Sequence, residues 1–321
     1  MPAFKSVSYA SASAGTRLIV LGAVHGNETC GTRAIERVIG ELDRGELALT
    51  AGRLTLVPVT NPLAYAERRR AGDRNLNRKL APTAAPREYE DHVANWLCPL
   101  LAEHEVLLDL HSFLSPGVPF VFLGPLDNPG PVEPFAQAAR EEGLALRLGV
   151  ARAVDGWLET YAAGVARRRE LAAASPAAAT DLDLDPRYGI GTTEYMRSVG
   201  GSAVTLECGQ HDDPQAPEVA YQAIVNTLAH LGLIDAPDPQ PAAAMQSLRL
   251  CEVVDRMHPD DAFSRSWSSF DPVAAGARIG SRHDGSPVTA PFDGRIVFPN
   301  PAAAPGHEWF YLARVSGRLA T

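Results

Sequence analysis

Three residues able to share one divalent metal stand where two apolar runs end: His25 and Glu28 in Leu-Ile-Val-Leu-Gly-Ala-Val-His-Gly-Asn-Glu, and His111 in Val-Leu-Leu-Asp-Leu-His-Ser. Two imidazoles and a carboxylate are the protein part of a catalytic zinc site. Such a trio leaves the fourth tetrahedral position to water, whereas a structural site is closed by a fourth protein ligand. The set predicts one zinc ion per chain and a metal-assisted hydrolase. Taken alone, His25 reads equally well as a hydrogen-bonded strand-end histidine, and Glu28 as a carboxylate favoured by the dipole of the next helix. His111 shifts the balance, because ligands in open α/β sheets gather at the carboxyl ends of strands. Gly26 supplies backbone freedom for the turn between the first two ligands. Asp109, alternating with His111 along its strand, could orient an imidazole. His92 and His104 fall in helical sequence and are expected to be ordinary surface or half-buried histidines.

Glu207 is a carboxylate inside the apolar run Ala-Val-Thr-Leu-Glu-Cys, an unfavourable placement unless it is paired or chemically used. It reads either as a general base or as the buried partner of an arginine, and the zinc trio favours the base. Alternation along the strand puts Cys208 on the opposite face, which argues against a cysteine nucleophile. Residues 68–78, Arg-Arg-Arg-Ala-Gly-Asp-Arg-Asn-Leu-Asn-Arg, form either a solvated basic face or a reader of carboxylates, since arginine forks match carboxylates bidentately. Asn77 and Arg78 are the pair singled out.

These residues need a frame. Apolar runs at 17–22 and 53–59, with Ala34, Ile35, Val38, Ile39 and Leu42 at helical spacing between them, predict a β-α-β unit. A helix over 87–103, strands at 105–110 and 119–123, a helix over 131–143, a strand at 203–208 and a helix over 217–232 extend it. The alternation predicts an α/β fold with a mixed sheet flanked by helices. Repeated prolines mark 236–245 as a linker between a catalytic domain, 1–235, and a small all-β domain, 246–321. Within 161–187, Arg167 to Arg169 and the alanine-rich run suit a surface helix, and the Asp181–Asp185 alternation suits a solvated loop.

With 321 residues, 45% hydrophobic and 21% charged, the chain is expected to fold as a globular protein. A formal charge of −9 with dispersed arginines predicts a small-molecule partner rather than nucleic acid. The N-terminus lacks an apolar signal core and no run is long enough to span a membrane, so a soluble, cytoplasmic protein is expected. Self-association is left open. Cys30, Cys98, Cys208 and Cys251 are scattered, as suits small buried hydrophobes rather than disulfides or a thiolate metal site.

Together, Gly-Ala-Val-His-Gly-Asn-Glu at 22–28, Asn-Leu-Asn-Arg at 75–78, Asp-Leu-His-Ser at 109–112 and Leu-Glu-Cys-Gly at 206–209 resemble the succinylglutamate desuccinylase/aspartoacylase family, relatives of the zinc carboxypeptidases. The resemblance implies a carboxypeptidase-like α/β domain followed by a smaller β domain, acting on the amide bond of an N-acyl amino acid. By position it implies zinc on His25, Glu28 and His111, and Glu207 as the base. It also implies Arg70 at the scissile carbonyl, Asn77 and Arg78 on the substrate α-carboxylate, Arg197 on a second carboxylate, and Tyr311 closing over the substrate. With Arg197 in the pocket, an acidic amino acid would be preferred. Tyr311 matches loosely and also reads as an aromatic core residue. Asn75 departs from the family's Asp-Leu-Asn-Arg and takes away the carboxylate expected there. Two other readings remain: a metallocarboxypeptidase acting on peptides, and a non-catalytic ligand-binding relative.

Overall fold

The computed structural model describes residues 3–174 and 184–319. A short edge strand, β1 (Val7–Ala10), precedes the β-α-β unit expected from the sequence, which comprises β2 (Arg17–Leu21), α1 (Cys30–Asp43) and β3 (Arg53–Val57). There follow α2 (Pro62–Ala66), α3 (Tyr89–Ala102), β4 (Val106–Phe113), β5 (Phe120–Phe122), α4 (Ala138–Ala145), β6 (Arg152–Asp155) and α5 (Trp157–Ala174). The α/β part ends with α6 (Thr192–Ser198), β7 (Ser202–Gln210) and α7 (Ala216–His230). The helix expected over 131–143 begins only at Ala138; Pro131 and Pro134 disfavour an earlier start, and Asn128 instead bridges to Phe135.

Strand order places the chemistry. Parallel pairing joins β3, β2, β4 and β7 in that spatial sequence. The chain leaves β2 for β3 on one side and later returns to lay β4 on the other. The carboxyl ends of β2 and β4 therefore form the topological switch point, where open α/β sheets leave a crevice. Alternation sorts the faces: Leu18, Val20, Leu108, Leu110, Val204, Leu206 and Cys208 pack with α1 and α7, while Ile19, Leu21, Leu107 and Ala203 pack with α3 and α6. By the same alternation Asp109, His111 and Glu207 belong to the second face and Cys208 to the first.

After the proline-rich 236–244, which carries no regular element, β8 (Gln246–Asp255) pairs in parallel with β6. β9 (Ala262–Phe263), β10 (Pro272–Val273), β11 (Arg278–Ser281), β12 (Pro287–Thr289), β13 (Gly294–Val297) and β14 (Glu308–Val315) complete the chain. Among the described residues, antiparallel β14, β13 and β10 continue the sheet beyond β8, giving 11 strands, and β12, β11 and β9 form a second, 3-stranded sheet. Trp309 and Phe310 are fully buried, with the Trp309 ring stacked 4.5 Å from Phe263.

Two expectations change in this frame. The helix carrying Arg167 to Arg169 is not merely a surface helix, because Arg168 is buried, bonds Asp255 at 2.6 and 2.8 Å, and donates to Tyr161. Asp181 and Asp183, part of the expected solvated loop, lie outside the described residues. Among the cysteines, Cys251 is exposed while the other three are buried. No helix among the described residues is long and apolar enough to cross a membrane.

Candidate active site

His25, Glu28 and His111 meet at the β2/β4 crevice, all buried, with one ligand atom of each within 4.8 Å of the others. His25 Nδ1 lies 2.8 Å from Glu28 Oε1, and His111 Nδ1 lies 2.9 Å from Glu28 Oε2. Each ring is fixed from behind: His25 Nε2 stands 3.1 Å from Asn75 Oδ1, and His111 Nε2 stands 2.9 Å from Asp109 Oδ2. Asn75 thus keeps the position behind His25 with an amide oxygen where the resemblance led us to expect a carboxylate. Ala23, two residues before His25, adopts the left-handed φ of 46°, a strain of ~1–3 kcal/mol for a non-glycine residue. The turn needs Gly26 for a different reason from the one expected: a Cβ there would lie 2.0 Å from the Ala64 carbonyl carbon, so close approach to α2 demands glycine.

Charge in the cluster is divided unevenly. Burial and then Arg70 push His25 down to about 4. Burial opposes ionisation of Glu28, but the two imidazoles hold its carboxylate well below the usual range. His111 is also disfavoured by burial, yet Asp109 and Glu28 raise it well above the ordinary histidine value. Glu207 sits opposite His111 in the β4–β7 register. Burial lifts it to about 8, against His111, and its Oε2 is buried without a hydrogen-bond partner among the described residues. A divalent metal ion suits this arrangement: the donor set is of catalytic type, the imidazoles are already oriented, and an unpartnered carboxylate oxygen lies one strand away.

The arginine loop comes to the same edge. Arg70, half exposed, donates from Nη1 to Glu28 Oε1 at 3.0 Å. Asn77 Oδ1 accepts from Thr192 N at 2.9 Å, leaving its Nδ2 as a donor. Arg78 gives one N–H to Asn77 O, lies 4.7 Å over the Trp157 ring, and keeps Nη2 3.8 Å from Glu308. Tyr311 packs on the same Trp157 at 5.4 Å, and its hydroxyl is buried without a partner among the described residues. Arg68 and Arg69 are exposed, in keeping with a solvated face. His92 is half-buried as expected, but His104 is buried and bonded to Leu100 O and Thr55 Oγ1.

Arg197 is the residue that the structure does not bring to the site. Its five N–H groups go to Glu141, Glu133, Glu194 and the Ala203 carbonyl, and its side chain is 3% exposed. The expected contact to a second substrate carboxylate is corrected accordingly, since no donor is left. Arg197→Ala is expected to destabilise the fold by about 3–5 kcal/mol, because it strands buried Glu141 and its neighbours without their counter-charge. Denaturant unfolding measures this, and an unchanged midpoint would contradict the structural role.

Sequence reasoning missed Thr192 and Glu90. Thr192 Oγ1 donates to Asp109 Oδ2 at 2.5 Å, joining α6 to the His111 side of the cluster. Glu90, fully buried, bonds Asn61 and three backbone amides of the arginine loop. In sequence it is one more acid at a helix start, and only its total burial distinguishes it.

Residues 14–115 match the model of the succinylglutamate desuccinylase/aspartoacylase catalytic domain, the stretch that holds His25, Glu28, Arg70, Asn77, Arg78 and His111. No curated protein matches the chain in sequence. Among solved structures, it is similar to a succinylglutamate desuccinylase/aspartoacylase from Rhodobacter sphaeroides, with a TM-score of 0.72 and 18% identity over 98% of this chain and 90% of that one. A succinylglutamate desuccinylase from Vibrio cholerae aligns with a TM-score of 0.71 and 18% identity, over 97% and 85% of the two chains. The product-bound ectoine utilization protein from Ruegeria pomeroyi aligns at 0.69 and 19%, over 96% and 88%. At these identities the structural likeness is one of fold.

Proposed function

We propose that this chain, which resembles the succinylglutamate desuccinylase/aspartoacylase family in sequence over residues 14–115 and in fold over nearly its whole length, hydrolyses the amide bond of an N-acyl amino acid. Zinc is held by His25, Glu28 and His111, and the products are a carboxylate and a free amino acid. One observation carries the reading: a buried, unpartnered Glu207 carboxylate oxygen in register with His111, beside a ligand trio of catalytic composition.

A zinc ion there supplies Lewis acidity and lowers the pKa of a water towards about 7. Glu207 accepts the proton of the attacking water as the new C–O bond forms, and returns it to the nitrogen as the C–N bond breaks. Arg70, half exposed and held by Glu28 alone among the described side chains, can turn its guanidinium onto the developing oxyanion. Asn77 Nδ2 and the outer nitrogens of Arg78 hold the α-carboxylate, with Tyr311 Oη a further donor on the same Trp157. With Arg197 committed to Glu133, Glu141 and Glu194, the basis for preferring an acidic amino acid lapses.

Amine release from N-acetylaspartate, succinylglutamate and N-acetyldiaminobutyrate, alongside a dipeptide panel and zinc analysis, tests the proposal. At least one acyl amino acid should be cleaved, and its α-carboxamide measurably but far more slowly. Cleavage confined to the dipeptides would replace the reading with a peptidase.

A further inference from the structure

Between α2 and α3 the loop bearing Arg70, Asn75, Asn77 and Arg78 has no regular secondary structure, yet its residues must be held in place if they are to grip a substrate. Glu90, in the first turn of α3, is 0% exposed. Its Oε1 accepts from Asn61 Nδ2 and Gly72 N, both at 2.8 Å, and its Oε2 accepts from Asp73 N and Arg74 N, both at 3.1 Å. Three consecutive backbone N–H groups converging on one carboxylate form an anion cradle, filled here by the chain's own anion. The four bonds use the acceptor capacity of an ionised carboxylate and exceed what a glutamine oxygen and NH₂ could offer to four donors. Gly72 fits because it has no side chain: a Cβ would stand 2.6 Å from Oε1.

From this carboxylate, hydrogen bonds run to both halves of the site. Asn61 donates its backbone N–H to Ala23 O at 3.0 Å, two residues before His25. Arg74, anchored through its amide, donates from Nη1 to Arg78 O at 2.9 Å, and its neighbour Asn75 lies behind His25 at 3.1 Å. The ligand turn and the arginine loop are thus referred to one buried carboxylate, which bonds the loop directly and reaches the turn through Asn61.

We propose that Glu90 is a positioning residue: its ionised carboxylate fixes the arginine loop against the ligand turn, and through that loop sets recognition of the substrate α-carboxylate. The kinetic part rests on the hydrolase reading above; the structural part does not. Glu90→Gln places an NH₂ against N–H donors with little change in volume, and Glu90→Ala empties the cradle for added formate.

Hydrogen exchange at Gly72, Asp73 and Arg74 should quicken about tenfold or more in both variants, with β2, β4 and β7 unchanged, and formate should slow it again in Glu90→Ala. In Glu90→Gln, kcat/KM for the acyl amino acid should fall about 10–100-fold, chiefly through KM, while its α-carboxamide loses much less. Unchanged protection overturns the proposal, as does an equal loss on both substrates. So does exchange quickened across the whole sheet in both variants and unrelieved by formate, since that marks a purely global role. A wild-type protein inactive on every acyl amino acid defeats the hydrolase reading instead, and the exchange result still decides the structural part.

Discussion

Replacing Glu207 with glutamine is expected to lower kcat by about 10²–10⁴-fold, the range of a lost general base, while zinc content stays at the wild-type level. Stability supplies the sharper half of the expectation. Burial raises Glu207 from 4.5 to about 8, so the folded chain favours its protonated form. In metal-free protein, the stability this group contributes is present below pH 4.5 and lost as pH rises through about 8. Glutamine cannot ionise and escapes that loss. Metal-free Glu207→Gln should therefore unfold at the same temperature as wild type in acid, and at a higher one above pH 8. Glu141 and Glu90, by contrast, have both oxygens bonded, and neutralising either should destabilise. Measuring kcat, zinc per chain and thermal unfolding across pH separates the cases. A variant with near-normal turnover refutes the assignment, and so does one whose activity falls only in step with its stability.

What the sequence reveals follows from which residues break a pattern locally. His25, Glu28 and His111 are polar groups just beyond apolar strands, and Glu207 is a charge inside one, so alternation and strand-end placement suffice to single them out. Partnerships across long separations leave no such mark. Arg168 looks like one of three helix-surface arginines, because its partner Asp255 lies 87 residues away. Arg197 sits at the family's spacing from Glu207, yet spacing says nothing of Glu133, Glu141 and Glu194 closing around it. Glu90 resembles any acid in a helix's first turn. Sheet continuity is hidden in the same way: a proline-rich stretch reads as a break, although β8 resumes the sheet by pairing with β6, and the short β1 and β6 carry too few residues for alternation to register.

Stripping divalent metal from the protein is expected to abolish amine release, and adding zinc to restore it, if His25, Glu28 and His111 hold the ion as proposed. The same cluster dictates how uptake depends on acidity. Metal ligands bind deprotonated, but burial notwithstanding, Asp109 and Glu28 hold His111 well above its ordinary range. Zinc must displace that proton, so affinity should fall as pH falls, with proton release on binding. Asp109 has two opposed effects here: it retains the competing proton, and it orients His111 while raising its basicity as a ligand. At neutral pH orientation should dominate, because Thr192 Oγ1 already fixes Asp109 Oδ2 at 2.5 Å and the ring cannot settle elsewhere without breaking this chain of bonds. Asp109→Asn should therefore weaken zinc about 10–100-fold, and His111→Ala should remove both the ion and activity. Competition with a chromogenic chelator across pH measures each affinity. Full activity in chelator-treated protein, shown by analysis to be free of metal, would end the metal-hydrolase reading.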